Sequence, residues 1–215
     1  MWSSLRVAGL IAWMPAFSPA PAGNGGTFPL DTLVEFRRGD IPLIVSVPHG
    51  GTQTPDLLPD RISATLERYD VFTLELGQEL AEAVHRLSGR TPYTVINHMH
   101  RKKVDVNREV LEGAQDDPLA VRNWERYHRS VSEACSAVSA RFGSGLLIDL
   151  HGHRGARPRV ELGYLLGGRQ LGLPDSVLVR EAAATSIRAL VERSRVPLPE
   201  LVPTITATFW HSRIS

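Results

Sequence analysis

Apolar positions along the chain fall into two alternating patterns. Leu43-Ile44-Val45-Ser46-Val47, Tyr93-Thr94-Val95-Ile96 and Leu146-Leu147-Ile148-Asp149-Leu150 are short runs bounded by turn residues, the mark of buried strands. A further run over 160–166, ending at Gly167-Gly168, predicts another strand. Between these runs the apolar residues recur at helical spacing. Val71, Leu74, Leu80, Val84 and Leu87 predict a helix over 70–87, with Gly89 at its exit. Trp124, Tyr127 and Val131 mark the buried face of a second helix over 118–142, with Pro118 early in it and Gly143 after it. A third, over 177–193, is capped by Asp175 or Ser176. Alternating strands and helices predict an α/β domain, a largely parallel sheet with helices on both faces.

Two of these strands end the same way. The first runs into Pro48-His49-Gly50-Gly51, and the third into Asp149-Leu150-His151-Gly152-His153. In α/β folds ligands gather at the carboxyl ends of strands. Asp149, His151 and His153 alternate and share one face if the strand persists. The stretch thus reads as one wall of a metal site, with His49 on a second wall. Asp70 opens the helix over 70–87, where a carboxylate caps exposed amides, and Glu75 one turn later reads as a solvated surface residue. His98 and His100 lie in a basic loop, and their spacing alone is weak evidence for a metal.

Composition narrows the chemistry. At 215 residues the chain suits one substantial domain, and a hydrophobic fraction of 42% with 22% charged residues is that of a soluble globular protein. A net charge of +1 offers nothing to nucleic acid or a membrane surface. The single cysteine, Cys135, excludes an intramolecular disulfide and a Cys-rich zinc site, so any metal takes His and carboxylate ligands. Residues 1–27 read as a leader, disordered or loosely signal-like, residues 28–196 as the domain and 197–215 as an irregular tail. A cytoplasmic location is expected, with export the alternative if the leader is a signal peptide.

G-x-S-x-G, H-E-x-x-H, P-loop and dinucleotide fingerprints are all absent. What remains is His49, Asp149, His151, His153 and a polar loop with Arg101 and Asn107-Arg108. Catalytic zinc takes three protein ligands of these types, and nearby arginines can grip a carboxylate in a bidentate fork. Metal-assisted hydrolysis of a small acidic molecule is the chemistry these residues suit.

Pro48-His49-Gly50-Gly51, Asp70 with Thr73, Arg101 followed by Asp105-Val106-Asn107-Arg108, Trp124 with Tyr127-His128, and Asp149-Leu150-His151 occur in this order. The ordered set resembles the N-formylglutamate amidohydrolases, distant relatives of zinc carboxypeptidases and aspartoacylases. The resemblance implies a three-layer α/β/α sandwich with a mostly parallel mixed sheet, phosphorylase/hydrolase-like. It implies zinc-dependent cleavage of the C–N bond of an N-formyl or N-acyl amino acid, a small-molecule substrate. Carried over by position, His49 and His151 become zinc ligands, with Asp70 as the third and Glu75 its alternative. Asp149 then orients a histidine. Arg101 polarises the substrate carbonyl or binds its carboxylate, Asn107 and Arg108 grip the α-carboxylate, and His128 lines the pocket.

The chain departs from that pattern near its end. Family members carry a late Q-x-E segment whose Glu resembles a general base, whereas Glu200 here lies in a proline-flanked loop and the residues after it hold no carboxylate. The departure implies a truncated chain, a different proton acceptor, or a catalytically impaired member that binds a small acidic ligand or a partner protein without turnover.

Overall fold

The structure is a computed structural model and describes residues 5–11, 33–62, 69–152, 161–163, 173–174 and 177. Its elements, in chain order, are β1 (Leu5–Ile11), β2 (Val34–Arg37), β3 (Leu43–Val47), α1 (Thr73–Ser88), β4 (Tyr93–Asn97), α2 (Val110–Ala114), α3 (Pro118–Phe142), β5 (Gly145–His151) and β6 (Glu161–Gly163). The strands form one mixed sheet in the order β2-β4-β3-β5-β1-β6. Its central strands β4, β3 and β5 run parallel, β1 continues parallel beside β5, and the outer strands β2 and β6 are antiparallel to their neighbours. The domain is therefore α/β, as the alternation of apolar patterns predicts.

Pleating sorts the sheet residues into two clusters. Ile44, Tyr93, Val95 and Leu147 pack with Ala120, Tyr127, Ala134 and Val138 of α3. Val45, Val47, Ile96 and Leu150 pack instead with Leu74, Leu76 and Leu80 of α1. Alternate residues of a strand point to opposite faces, which is why neighbours in one strand join different clusters. Burial of a side chain of this size contributes roughly 1.5–3 kcal/mol, so this double pattern fixes the strand register and with it the position of each strand end.

Helix α3 begins as its sequence predicts. Pro118 occupies the first turn, and the Asp117 carboxylate accepts from the amides of Leu119 (2.8 Å) and Ala120 (3.0 Å). Helix α1 does not. The sequence predicts a start at Asp70, but the helix begins at Thr73 after Phe72, whose φ of 65° is left-handed. No side chain caps it. The Thr73 hydroxyl (2.7 Å) and amide (3.3 Å) both donate to the Asp70 carbonyl, so the turn before α1 closes on the Asp70 main chain and leaves its carboxylate for other use. Gly50 permits the close approach of this turn to the end of β3, since a Cβ there would meet the Leu74 amide nitrogen at 2.5 Å.

Strand β2 and the short helix α2 are not foreseen in the sequence, since four and five residues are too few to display a period. Strand β1 falls within the stretch read as a leader, and β6 within the run expected over 160–166. His153, most of the helix expected over 177–193, Glu200 and the tail over 197–215 lie outside the described residues. Among the described residues no helix is long and apolar enough to cross a membrane.

Candidate metal centre

His49 follows β3, Asp70 precedes α1 and His151 ends β5, and their side chains meet. One ligand atom from each lies within 4.8 Å of the other two. Asp70 Oδ2 is the middle of the group, 3.7 Å from His49 Nδ1 and 3.3 Å from His151 Nδ1. The imidazole rings stand 5.1 Å apart, tilted by 62°. Main-chain bonds fix the carboxylate in place: the Asp70 amide donates to the His49 carbonyl (2.9 Å), and the Gly152 amide donates to Asp70 Oδ2 (3.0 Å).

Each imidazole is held from behind by a second carboxylate. His49 Nε2 donates to Asp105 Oδ1 at 2.8 Å, and both residues are fully buried. His151 Nε2 donates to Asp149 Oδ2 at 2.9 Å. In both rings this leaves Nδ1 facing Asp70, and His49 Nδ1 is buried without a hydrogen-bond partner. A carboxylate on the far nitrogen fixes tautomer and ring angle and strengthens the near nitrogen as a ligand. Zinc bonds of about 2.0–2.1 Å at tetrahedral angles separate ligand atoms by roughly 3.4 Å. The 3.3 and 3.7 Å spacings about Asp70 Oδ2 lie close to that value, and the two-nitrogen, one-oxygen donor set is of the type such an ion takes.

Electrostatics follow from the same contacts. Burial alone raises the Asp70 carboxyl, but the His151 and His49 rings and the Gly152 amide outweigh it and hold the group well below the usual carboxylate range. Asp105 behaves likewise, with burial opposed by His49 and Arg101. Burial disfavours the charged His151 ring, yet its hydrogen bonds to Asp149 and Asp70 push its pKa up to about 9. A cationic ring between two carboxylates shows a place where positive charge is stabilised.

The other residues expected to act here are distributed as follows. Arg101 Nε donates to Asp105 Oδ2 at 2.7 Å, and its Nη1 lies 4.0 Å from Asp70 Oδ1. Asn107 and Arg108 are exposed just beyond, with the Asn107 amide donating to Asp105 Oδ1. His128 Nε2 donates to the Val106 carbonyl at 2.9 Å, and its ring lies 3.9 Å from that of Trp124. Glu75 is exposed on the first turn of α1 and takes no part in the group. Asp70 is the carboxylate at the centre, so its reading as a helix cap is corrected. His98 bonds Glu35 at 2.9 Å, and His100 Nδ1 accepts from the Lys102 amide, so neither joins the group.

Sequence reasoning gave no role to Asp105 or Arg61. Asp105 accepts from His49, Arg101 and, at 3.4 Å, Arg61 Nη2. Arg61 also donates to the carbonyls of Arg101 (3.1 Å) and Glu112 (3.2 Å), tying its loop to α2. The signal for Asp105 lies in the Asp105-Val106-Asn107-Arg108 segment, of which only the last two residues carry a local hint of substrate binding.

No family model matches the chain, and no solved structure matches it. Among curated proteins, the N-formylglutamate deformylase of Pseudomonas aeruginosa is 27% identical over 200 residues, covering 76% of this chain and 68% of that protein. This likeness supports a distant relationship of the chain to the N-formylglutamate amidohydrolases.

Proposed function

We propose that this protein is a zinc-dependent amidohydrolase that cleaves the amide C–N bond of N-formyl or N-acyl amino acids such as N-formylglutamate. The observation that carries the reading is the convergence of His49, Asp70 and His151 on one point in a relative of a protein named as a deformylase of that substrate. The three-layer α/β/α arrangement implied by the resemblance suits such a site, which would then lie at the strand ends.

His49, Asp70 and His151 would hold the ion. When bound, it would lower the pKa of a water to near neutrality and polarise the scissile carbonyl. Asp105 and Asp149 keep the two imidazoles turned inward. Arg101, beside Asp70, would pair with the substrate carbonyl or carboxylate, and the exposed Asn107 and Arg108 would receive the α-carboxylate. His128 would border the same entrance.

A second reading is a family member that binds a small acidic ligand or a partner protein without turnover. It is favoured by the carboxylates around the group, since Asp70, Asp105 and Asp149 each already hold an imidazole. Hydrolysis needs a proton acceptor for the water and a donor for the leaving amine, and their loss costs about 10²–10⁴ in rate. Metal analysis with a formate-release assay on N-formylglutamate and a panel of N-acyl amino acids separates the two. Zinc uptake with release of formate or acyl acid is expected. Zinc uptake with no turnover on the whole panel would favour the second reading, and no metal uptake at all would remove both the ion and the hydrolysis.

A further inference from the structure

Behind the metal centre lie two hydroxyls that none of the roles above uses. Ser46 of β3 and Tyr127 of α3 are 2% and 4% exposed, and their hydroxyls hydrogen-bond to each other. Ser46 is the register partner of Asp149 in the parallel β3–β5 ladder. Partners in such a ladder direct their side chains to the same face. The packing agrees, because Ile44 and Leu147, each two residues away, both enter the cluster beneath α3. Asp149 spends Oδ2 on His151, while its Oδ1 is buried with no hydrogen-bond partner. The Tyr127 phenol is pushed well above its usual range by burial and then by the charge of Asp149, so it feels that carboxylate.

Leaving a buried carboxylate oxygen without a donor is destabilising, because its lost hydration is not replaced. Hydroxyls are rotors whose protons turn toward the nearest acceptor or negative charge. Whichever of the two hydroxyls donates to the other, one proton of the pair remains free. We propose that Ser46 and Tyr127 are positioning residues of the metal centre: the two hydroxyls fix each other and turn their free proton toward Asp149, which in turn keeps the His151 ring aimed at the ion. This rests on the zinc reading above. Both hydroxyls are buried behind the sheet ends, so they act through Asp149 and not on substrate.

The test is the zinc affinity of the full chain, measured by chelator competition, for the wild type, Tyr127→Phe, Ser46→Ala, the double variant and Thr94→Val. Thr94 serves as a control because it carries another buried hydroxyl without a partner, on β4. The visible spectrum of the cobalt-loaded protein and urea denaturation of the metal-free protein are recorded for each. Loss of an outer partner of a metal ligand typically costs 10–100-fold in affinity. Tyr127→Phe and Ser46→Ala are each expected to weaken zinc about tenfold and to shift the cobalt bands. The double variant is expected to cost no more than the worse single one, since both act along one line. Thr94→Val is expected to leave zinc affinity unchanged. Wild-type affinity in both single variants, or an equal loss in Thr94→Val, overturns the inference while the metal centre stands. Failure of the wild type to take up zinc or cobalt overturns both.

Discussion

At the scale of single residues, Asp105 carries more of the site than its neighbours in sequence suggest. It is fully buried and accepts from His49, Arg101 and Arg61. Asp105→Asn keeps the shape but removes the charge that the two guanidiniums face and loosens the hold on His49. The expected result is zinc affinity lower by about 10–100-fold, read by chelator competition, whereas Glu75→Gln on the exposed face of α1 leaves it unchanged. His151 sets a pH dependence. With its pKa raised to about 9 in the folded, metal-free protein, and near 6.5 when unfolded, it contributes stability that is complete below about 6.5 and is lost as pH rises through about 9. Asp70 and Asp105 act in the opposite sense. Their lowered values contribute above about pH 4 and are lost as pH falls further. Urea denaturation in the presence of a chelator is expected to give its highest midpoint between these limits, with a decline from pH 6.5 to 9.5.

At the scale of elements, the site depends on how α1 enters. Gly50 lies so close to Leu74 that a Cβ would meet its amide nitrogen at 2.5 Å. Gly50→Ala must displace the start of α1 or the end of β3, and the first displacement carries Asp70 with it. A loss of about 1–3 kcal/mol in urea denaturation is expected, with zinc affinity falling in step. The same region shows where the sequence was legible and where it was not. The strands β3 and β5 and their terminal histidines are readable because an apolar run followed by His and Gly is a local pattern. Helix α3 is readable because Pro118 at one end and Gly143 at the other are local signals. The start of α1 is not, because Asp70 has the chemistry of a cap and only tertiary contacts with His151 and Gly152 draw its side chain elsewhere. Arg61 is not, because its partners lie 40 to 51 residues away and no local period reports them.

At the scale of the molecule, three segments far apart in sequence bring His49, Asp70 and His151 around one point, so an ion held there would tie the fold together. Anything that binds only the folded state stabilises it by mass action, about 2.7 kcal/mol at a hundredfold excess over Kd. Dialysis against a chelator is therefore expected to lower Tm, and zinc to restore it, with the shift abolished in His49→Ala. Cys135, buried on α3 with its thiol pushed up to about 11 by burial, is expected to react with a thiol reagent only at the rate of unfolding.

The bond from the Asp70 amide to the His49 carbonyl has a kinetic consequence. It clasps the segments that carry His49 and Asp70 to each other through the backbone, so neither segment moves away while the other stays. A captured ion would then escape in one concerted opening instead of shedding its donors in turn. Its off-rate should follow deuterium uptake at that single amide.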